Sequence, residues 1–336
     1  MKHFMLMCAA LLSMNLAGTL LPEPVFAEET ESAYEGLTYE SADGAVTVTG
    51  YTDAVPAELV IPAEIGGLPV TAIGEKAFQN CLAITEVSLP DSITEIGNAA
   101  FRFCGSLKKA VLPDTLTVLP ESLFAECSNL ETVTIPAETE CIRDSVFAKC
   151  EKLAELRIPE SVREFGEDAF GGTAWLTAQR EKNPFVIVNR ILIDGKTCAG
   201  DITIPAEADY IGAGAFAYNQ KVLSVVLPEN VKGIARFGFY YCPALKSVTI
   251  LNPQCDIFDL NSTISTSWAQ HTAGLEGAVI RGYANSTAEA FAANRNFSFA
   301  LIYDPETLAE DYNCDGSVTV ADAVLLARYL SVDPAA

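Results

Sequence analysis

Apolar residues along this chain keep a beat of 23 positions. Phe78, Phe101, Phe124, Phe147 and Phe170 are evenly spaced, and Phe216 and Phe239 hold the register after a double step. Cys81, Cys104, Cys127 and Cys150 share the spacing, with Cys242 in the same phase. From each cysteine the apolar set continues through Val87 and Leu89 to Pro90, through Leu107, Ala110 and Leu112 to Pro113, and through Leu130, Val133 and Ile135 to Pro136. Alternation marks a short strand and the proline ends it. Ile93 and Ile96 complete the first unit before the next phenylalanine. A fixed period of this length means one supersecondary unit stacked on copies of itself, its strands side by side at roughly 4.8 Å. The expected fold is a repeat solenoid, each coil a β-strand plus irregular or short helical segments. The phenylalanines, leucines and valines then form continuous interior columns. Before the first coil, YESADGAVTVTGY is predicted to fold as a hairpin that shields the open end.

Half of the 336 residues are apolar, enough for a substantial core, and the formal charge is −23. Such acidity repels nucleic acids and anionic membranes, so neither is expected as a partner. Residues 1–27 read as a secretory signal: Lys2 at the start, an apolar run from Phe4 to Leu21, and Val25-Phe26-Ala27 as the cleavage site. Residues 28–36 form a short linker. No later stretch approaches about 18 uninterrupted apolar residues, so no membrane insertion is expected. The product is expected to be secreted, extracellular or cell-surface associated. Nine of the ten cysteines remain after cleavage, an odd number. Adjacent coils lie within disulfide reach, yet small buried thiols also fill such a column, and buried free thiols are the expectation.

The outward strand positions are the natural ligand surface of a solenoid. They are Glu86, Ser88, Lys109, Val111, Thr132, Thr134, Glu155 and Arg157, with Ser224, Val226, Ser247 and Thr249 further on. These side chains are mixed, small and without aromatics, whereas a sugar platform usually shows exposed Trp or Tyr. The face names no ligand. Trp175 and Trp268 are assigned to packing. After cleavage His271 is the sole histidine and sits in a polar stretch with no nucleophile motif. Nothing positions two of the acids around a cleft for glycoside hydrolysis. The chain is therefore expected not to be an enzyme.

This unit resembles the leucine-rich repeats of the BspA-like type, found in secreted and surface proteins of bacteria and some protists. The resemblance rests on Ile61 to Phe78 (IPAEIGGLPVTAIGEKAF), on a longer unit from Ala169 to Gly195, and on Arg281 to Ile302 as a closing cap. It covers residues 37–303.

From 304 the chain changes character. Asp311, Asn313 and Asp315 stand at positions 1, 3 and 5 of a loop, Gly316 at 6, Ser317 at 7, Thr319 at 9 and Asp322 at 12. Alternate oxygen ligands around a turn glycine are EF-hand spacing, so calcium is the expected cofactor. With a helix following from Ala323 to Leu330, residues 304–336 resemble one loop-helix segment of a type I dockerin, a family that normally carries two. That resemblance implies a cohesin module of a scaffoldin as partner, contacted by Val320 and Ala321 with help from Ala327 and Arg328. The leading expectation is a secreted, non-catalytic binding or scaffolding protein. Its solenoid would engage a protein or glycan, and its tail would dock to a cellulosome-like complex for polysaccharide degradation. The alternative is a free or surface adhesin with a degenerate tail. An enzyme of polysaccharide breakdown is the weakest reading.

Overall fold

The structure is a computed structural model that describes residues 36–267 and 278–302. Each 23-residue coil contributes two short strands and a turn-rich corner. In the first row, Glu58–Val60, Glu86–Ser88, Lys109–Val111 and Thr132–Thr134 pair in parallel, with Leu59, Val87, Ala110 and Val133 in register and buried. The second row runs from Leu68–Ile73 and Glu95–Ile96 to Val118–Leu119, Cys141–Ile142 and Glu164–Phe165. After an insertion both rows resume. The first continues through Gly200–Thr203, Val222–Leu227, Ser247–Ile250, Val279–Gly282 and Phe299–Leu301. The second continues through Ile191–Asp194, Tyr210–Ile211, Gly233–Ile234 and Asp256–Ile257.

The third side of the coil, which carries the phenylalanine, is not helical. Non-glycine residues with positive φ recur there in pairs, among them Lys76 and Asn80, Ala99 and Phe103, Ser122 and Glu126, Ser145 and Lys149. Alternation of left-handed and ordinary residues turns every second N–H toward the next coil. Lys76, Phe78 and Asn80 thus donate to the carbonyls of Asn98, Ala100 and Arg102. A helix would spend those donors within the coil and leave the stack unbonded on this side.

Inside, the predicted columns form. Tyr51 of the hairpin stacks on Phe78, and Phe78, Phe101, Phe124, Phe147 and Phe170 follow with ring centroids 5.0, 5.7, 6.0 and 5.9 Å apart. The cysteines do not bridge coils. The Sγ of Cys104, Cys127, Cys150 and Cys242 each donates to the carbonyl of the phenylalanine one coil back, at 3.0–3.1 Å. The thiol therefore fills a small column and satisfies a buried acceptor at once. A second polar ladder serves another corner: Ser92, Thr115, Ser161, Asn230 and Asn252 donate to the carbonyls of Val70, Ile93, Thr139, Ala208 and Val231.

The hairpin Leu37–Ala42/Ala45–Tyr51 covers the first coil, its second strand pairing with Leu68–Ile73. At the other end a helix capped by Ser286 spans Thr287–Arg295, packs on Val279–Gly282 and Asp256–Ile257, and buries Ala288, Phe291 and Ala292. Between the two stacks lie the helix Ala174–Lys182 and the antiparallel pair Val186–Val188/Ile191–Asp194. Arg180 holds this insertion together, donating from Nε and Nη2 to the buried carboxylate of Asp194 at 2.8 and 2.6 Å. Trp175 is buried, its ring 5.0 Å from Phe170, in the packing role expected of it.

The joint departs from the repeat in two linked substitutions. Gly195 stands where a column phenylalanine would be, and a Cβ there would lie 2.2 Å from the Phe216 ring. Asn219 takes the cysteine slot. Its Nδ2 donates to the carbonyls of Gly195, Lys196 and Cys198 at 3.0–3.2 Å, and its Oδ1 accepts from the N–H groups of Lys221 and Val222.

Candidate functional site

Most of the predicted first-row positions share one face. Glu86, Lys109 and Thr132 are in register, as are Ser88, Val111 and Thr134. Lys109 Nζ lies 3.7 Å from Glu86 Oε2, with both side chains about half exposed, a weak surface pair. Glu155 and Arg157 depart from the expectation. They are exposed but belong to no strand, because the first-row sheet stops at Thr132–Thr134. The insertion takes the place of the next neighbour, Trp175 N–H bonds the Leu153 carbonyl, and Leu156 and Ile158 are only half-buried. Ser224, Val226, Ser247 and Thr249 do lie on first-row strands, half-buried, with the Ser224 hydroxyl 2.6 Å from Asp201 Oδ1.

The second row is different. Arg163, Glu164, Ile191, Tyr210, Ala235 and Phe258 are among the residues that line a groove of about 420 Å³. Its depth comes from residue size. The position just after the second-row strand holds Gly212 and Ala235 in two successive coils and Phe258 in the next, so the floor is low beside the Phe258 ring. Tyr210, Gly233 and Asp256 are register partners across three strands. A Cβ on Gly233 would lie 3.3 Å from Cδ1 of Tyr210, so the ring rests over the glycine backbone. Tyr210 and Phe258 remain 45% and 47% exposed, while the phenylalanines of the interior column are buried.

Charge around the groove is largely paired. Buried Asp209 receives Arg190 at 2.5 Å and Lys232 at 3.0 Å, and the Arg190 hydrogen bond holds its carboxyl far below the usual carboxylate range. Asp259 is held low by Arg295, 2.7 Å away, and Glu164 receives Arg143 at 3.0 Å. Arg163 and Asp256 stand exposed at opposite rims. Sequence reasoning passed over this site because it followed only the proline-terminated strand. The residue before the inward apolar residue of each second-row strand carries the signal, reading Glu95, Val118, Cys141, Glu164, Tyr210, Gly233 and Asp256, and the aromatic there was legible.

Among the described residues no group of three or more His, Cys, Asp or Glu side chains is arranged to hold a metal ion, and no helix is long and apolar enough to cross a membrane. The calcium ligands Asp311, Asn313, Asp315, Ser317, Thr319 and Asp322, and the cohesin contacts Val320, Ala321, Ala327 and Arg328, lie outside the described residues. So do the signal segment, Trp268 and His271.

The profile of the BspA type leucine rich repeat region matches six copies in this chain, at residues 64–178 and 195–265. The chain belongs to that family. The break between the two matched stretches falls within the insertion. Solved structures with similarity include a leucine-rich repeat protein of T. pallidum, 24% identical over 69% of this chain and 86% of that one, TM-score 0.33. A leucine rich cell surface protein of Faecalibacterium prausnitzii is 20% identical over 81% and 94%, TM-score 0.33. The pneumococcal vaccine antigen PcpA is 16% identical over 80% and 97%, TM-score 0.38. No curated protein matches the chain.

Proposed function

We propose that this BspA-type protein is a secreted, non-catalytic binding protein that acts outside the cell or on its surface. The observation that carries the reading is the pair of parallel strand rows, which present extended faces and, on the second row, an aromatic-lined groove. A solenoid presents extended binding surfaces because each coil contacts only its neighbours and the outward positions are free to vary. The description of one similar structure as a cell surface protein, and of another as a vaccine antigen, supports the same location. The ligand of the faces is a protein or a glycan. We further propose that the tail binds calcium through Asp311, Asn313, Asp315, Ser317, Thr319 and Asp322, and that Val320, Ala321, Ala327 and Arg328 then dock to a cohesin of a polysaccharide-degrading complex. Ligand spacing alone supports this second step.

Two measurements separate these claims. Calorimetric titration of calcium into the full chain is expected to show one site that Asp311→Ala abolishes; an unchanged chain with no heat removes the dockerin reading. Capture by immobilised cohesins, compared with capture by host or bacterial surface material, then distinguishes a docked component from a free adhesin.

A further inference from the structure

Resting on the binding role above, we infer that the second-row groove is a subsite for a neutral oligosaccharide. A pyranose ring offers an apolar C–H face and a rim of hydroxyls that both donate and accept. The groove supplies the complement of each. Tyr210 and Phe258 provide two half-exposed rings, and an aromatic left in water forgoes burial that the interior column obtains. Tyr210 is also positioned rather than loose, since its ring lies over Gly233. Between the rings the floor is apolar and smooth, made by Gly212, Ala235 and Ile234. Arg163 donates at one rim, and Glu164 and Asp256 accept at the rims. From Ile191 to Asp256 the groove crosses three strand spacings, about 14 Å, so it takes a chain of sugars rather than a single ring.

Other occupants fit less well. An extended peptide gains affinity by adding to an open strand edge, but these strands are already paired coil to coil. Gly212, Ala235 and Phe258 donate to the carbonyls of Leu192, Ile211 and Ile234, which closes the ladder beneath the groove. A polyanionic glycan or nucleic acid meets a chain of net charge −23.

The test is calorimetry of the full chain with neutral β-linked glucose, xylose and mannose hexasaccharides, with an oligogalacturonate as the acidic control. At least one neutral hexasaccharide is expected to bind and the oligogalacturonate not to. Tyr210→Ala and Phe258→Ala should each weaken binding about tenfold, the scale of one lost aromatic contact, while Tyr210→Phe keeps it. Both rings are surface residues, so unfolding midpoints should stay close to that of the parent protein. Gly233→Ala crowds the Tyr210 ring without removing it and should weaken binding too. Absence of binding by every neutral hexasaccharide at millimolar concentration overturns the inference, as does binding indifferent to both alanine variants. If the chain captures a protein through its first-row face while no hexasaccharide binds, the glycan subsite is wrong and the general binding role stands.

Discussion

Asn219→Leu removes the amide that replaces a cysteine at the joint between the two stacks. Its side chain is 1% exposed and makes five hydrogen bonds, three of them wholly buried, to the carbonyls of Gly195 and Cys198 and from the N–H of Val222. Leucine is close in size, so the change leaves little cavity and acts through stranded polar groups. At about 1–1.5 kcal/mol for each buried partner, the expected loss is about 4 kcal/mol. Asn219→Cys restores the repeat residue. A thiol there can donate to the Gly195 carbonyl, as Cys104 does to that of Phe78 at 3.1 Å, so the loss should be smaller, about 2–3 kcal/mol. Urea unfolding followed by far-ultraviolet circular dichroism measures both. The buried apolar residues divide into two clusters at Ile191 and Leu192, and nearest-neighbour coupling carries cooperativity across a solenoid. The leucine variant should therefore split one transition into two. A midpoint shift worth less than about 1 kcal/mol, or a loss larger for cysteine than for leucine, would refute the account.

Gly195→Ala forces a methyl against the Phe216 ring and should cost about 1–3 kcal/mol by the same assay, whereas Gly200→Ala, with open space around its Cβ, tests only its positive φ. The eight described cysteines are buried, so a thiol reagent at neutral pH should label none of them until the chain is unfolded, when all eight react. Burial pushes the thiols of Cys150, Cys242 and Cys255 from the ordinary value of 9.0 up to about 12. Between those values the folded chain holds protons that the unfolded chain has lost, so stability is intact below pH 9 and falls as pH rises toward 12; the urea midpoint should drop across that window, and Cys242→Ser should shallow the slope.

Much of the body was legible because one interior column was written in one residue type. Phe78 through Phe170 announce the stack, and Val87 with Leu89 announce the strand, since only inward positions at a fixed period must stay apolar. The hairpin was legible for a related reason, as an end coil must cover its apolar face, and the closing segment through its resemblance to the family's cap. The turn corner was not. A run such as Gly74 to Phe78 carries no mark that its N–H groups serve the next coil rather than a helix, because that choice depends on a neighbour 22 residues away.

The sequence by itself determined the repeat, its phase, its inward columns and the acidic exterior, since these follow from side-chain chemistry repeated along the chain. Only the tertiary structure decided what the interruption does. Glu155 and Arg157 keep the pattern yet form no strand in the coil that leads into the insertion. Tyr210 lies over Gly233 from the next coil, and Gly212 and Ala235 open the floor beside it. A groove is made by residues far apart in sequence, and its depth is a difference in size between coils that only stacking brings side by side.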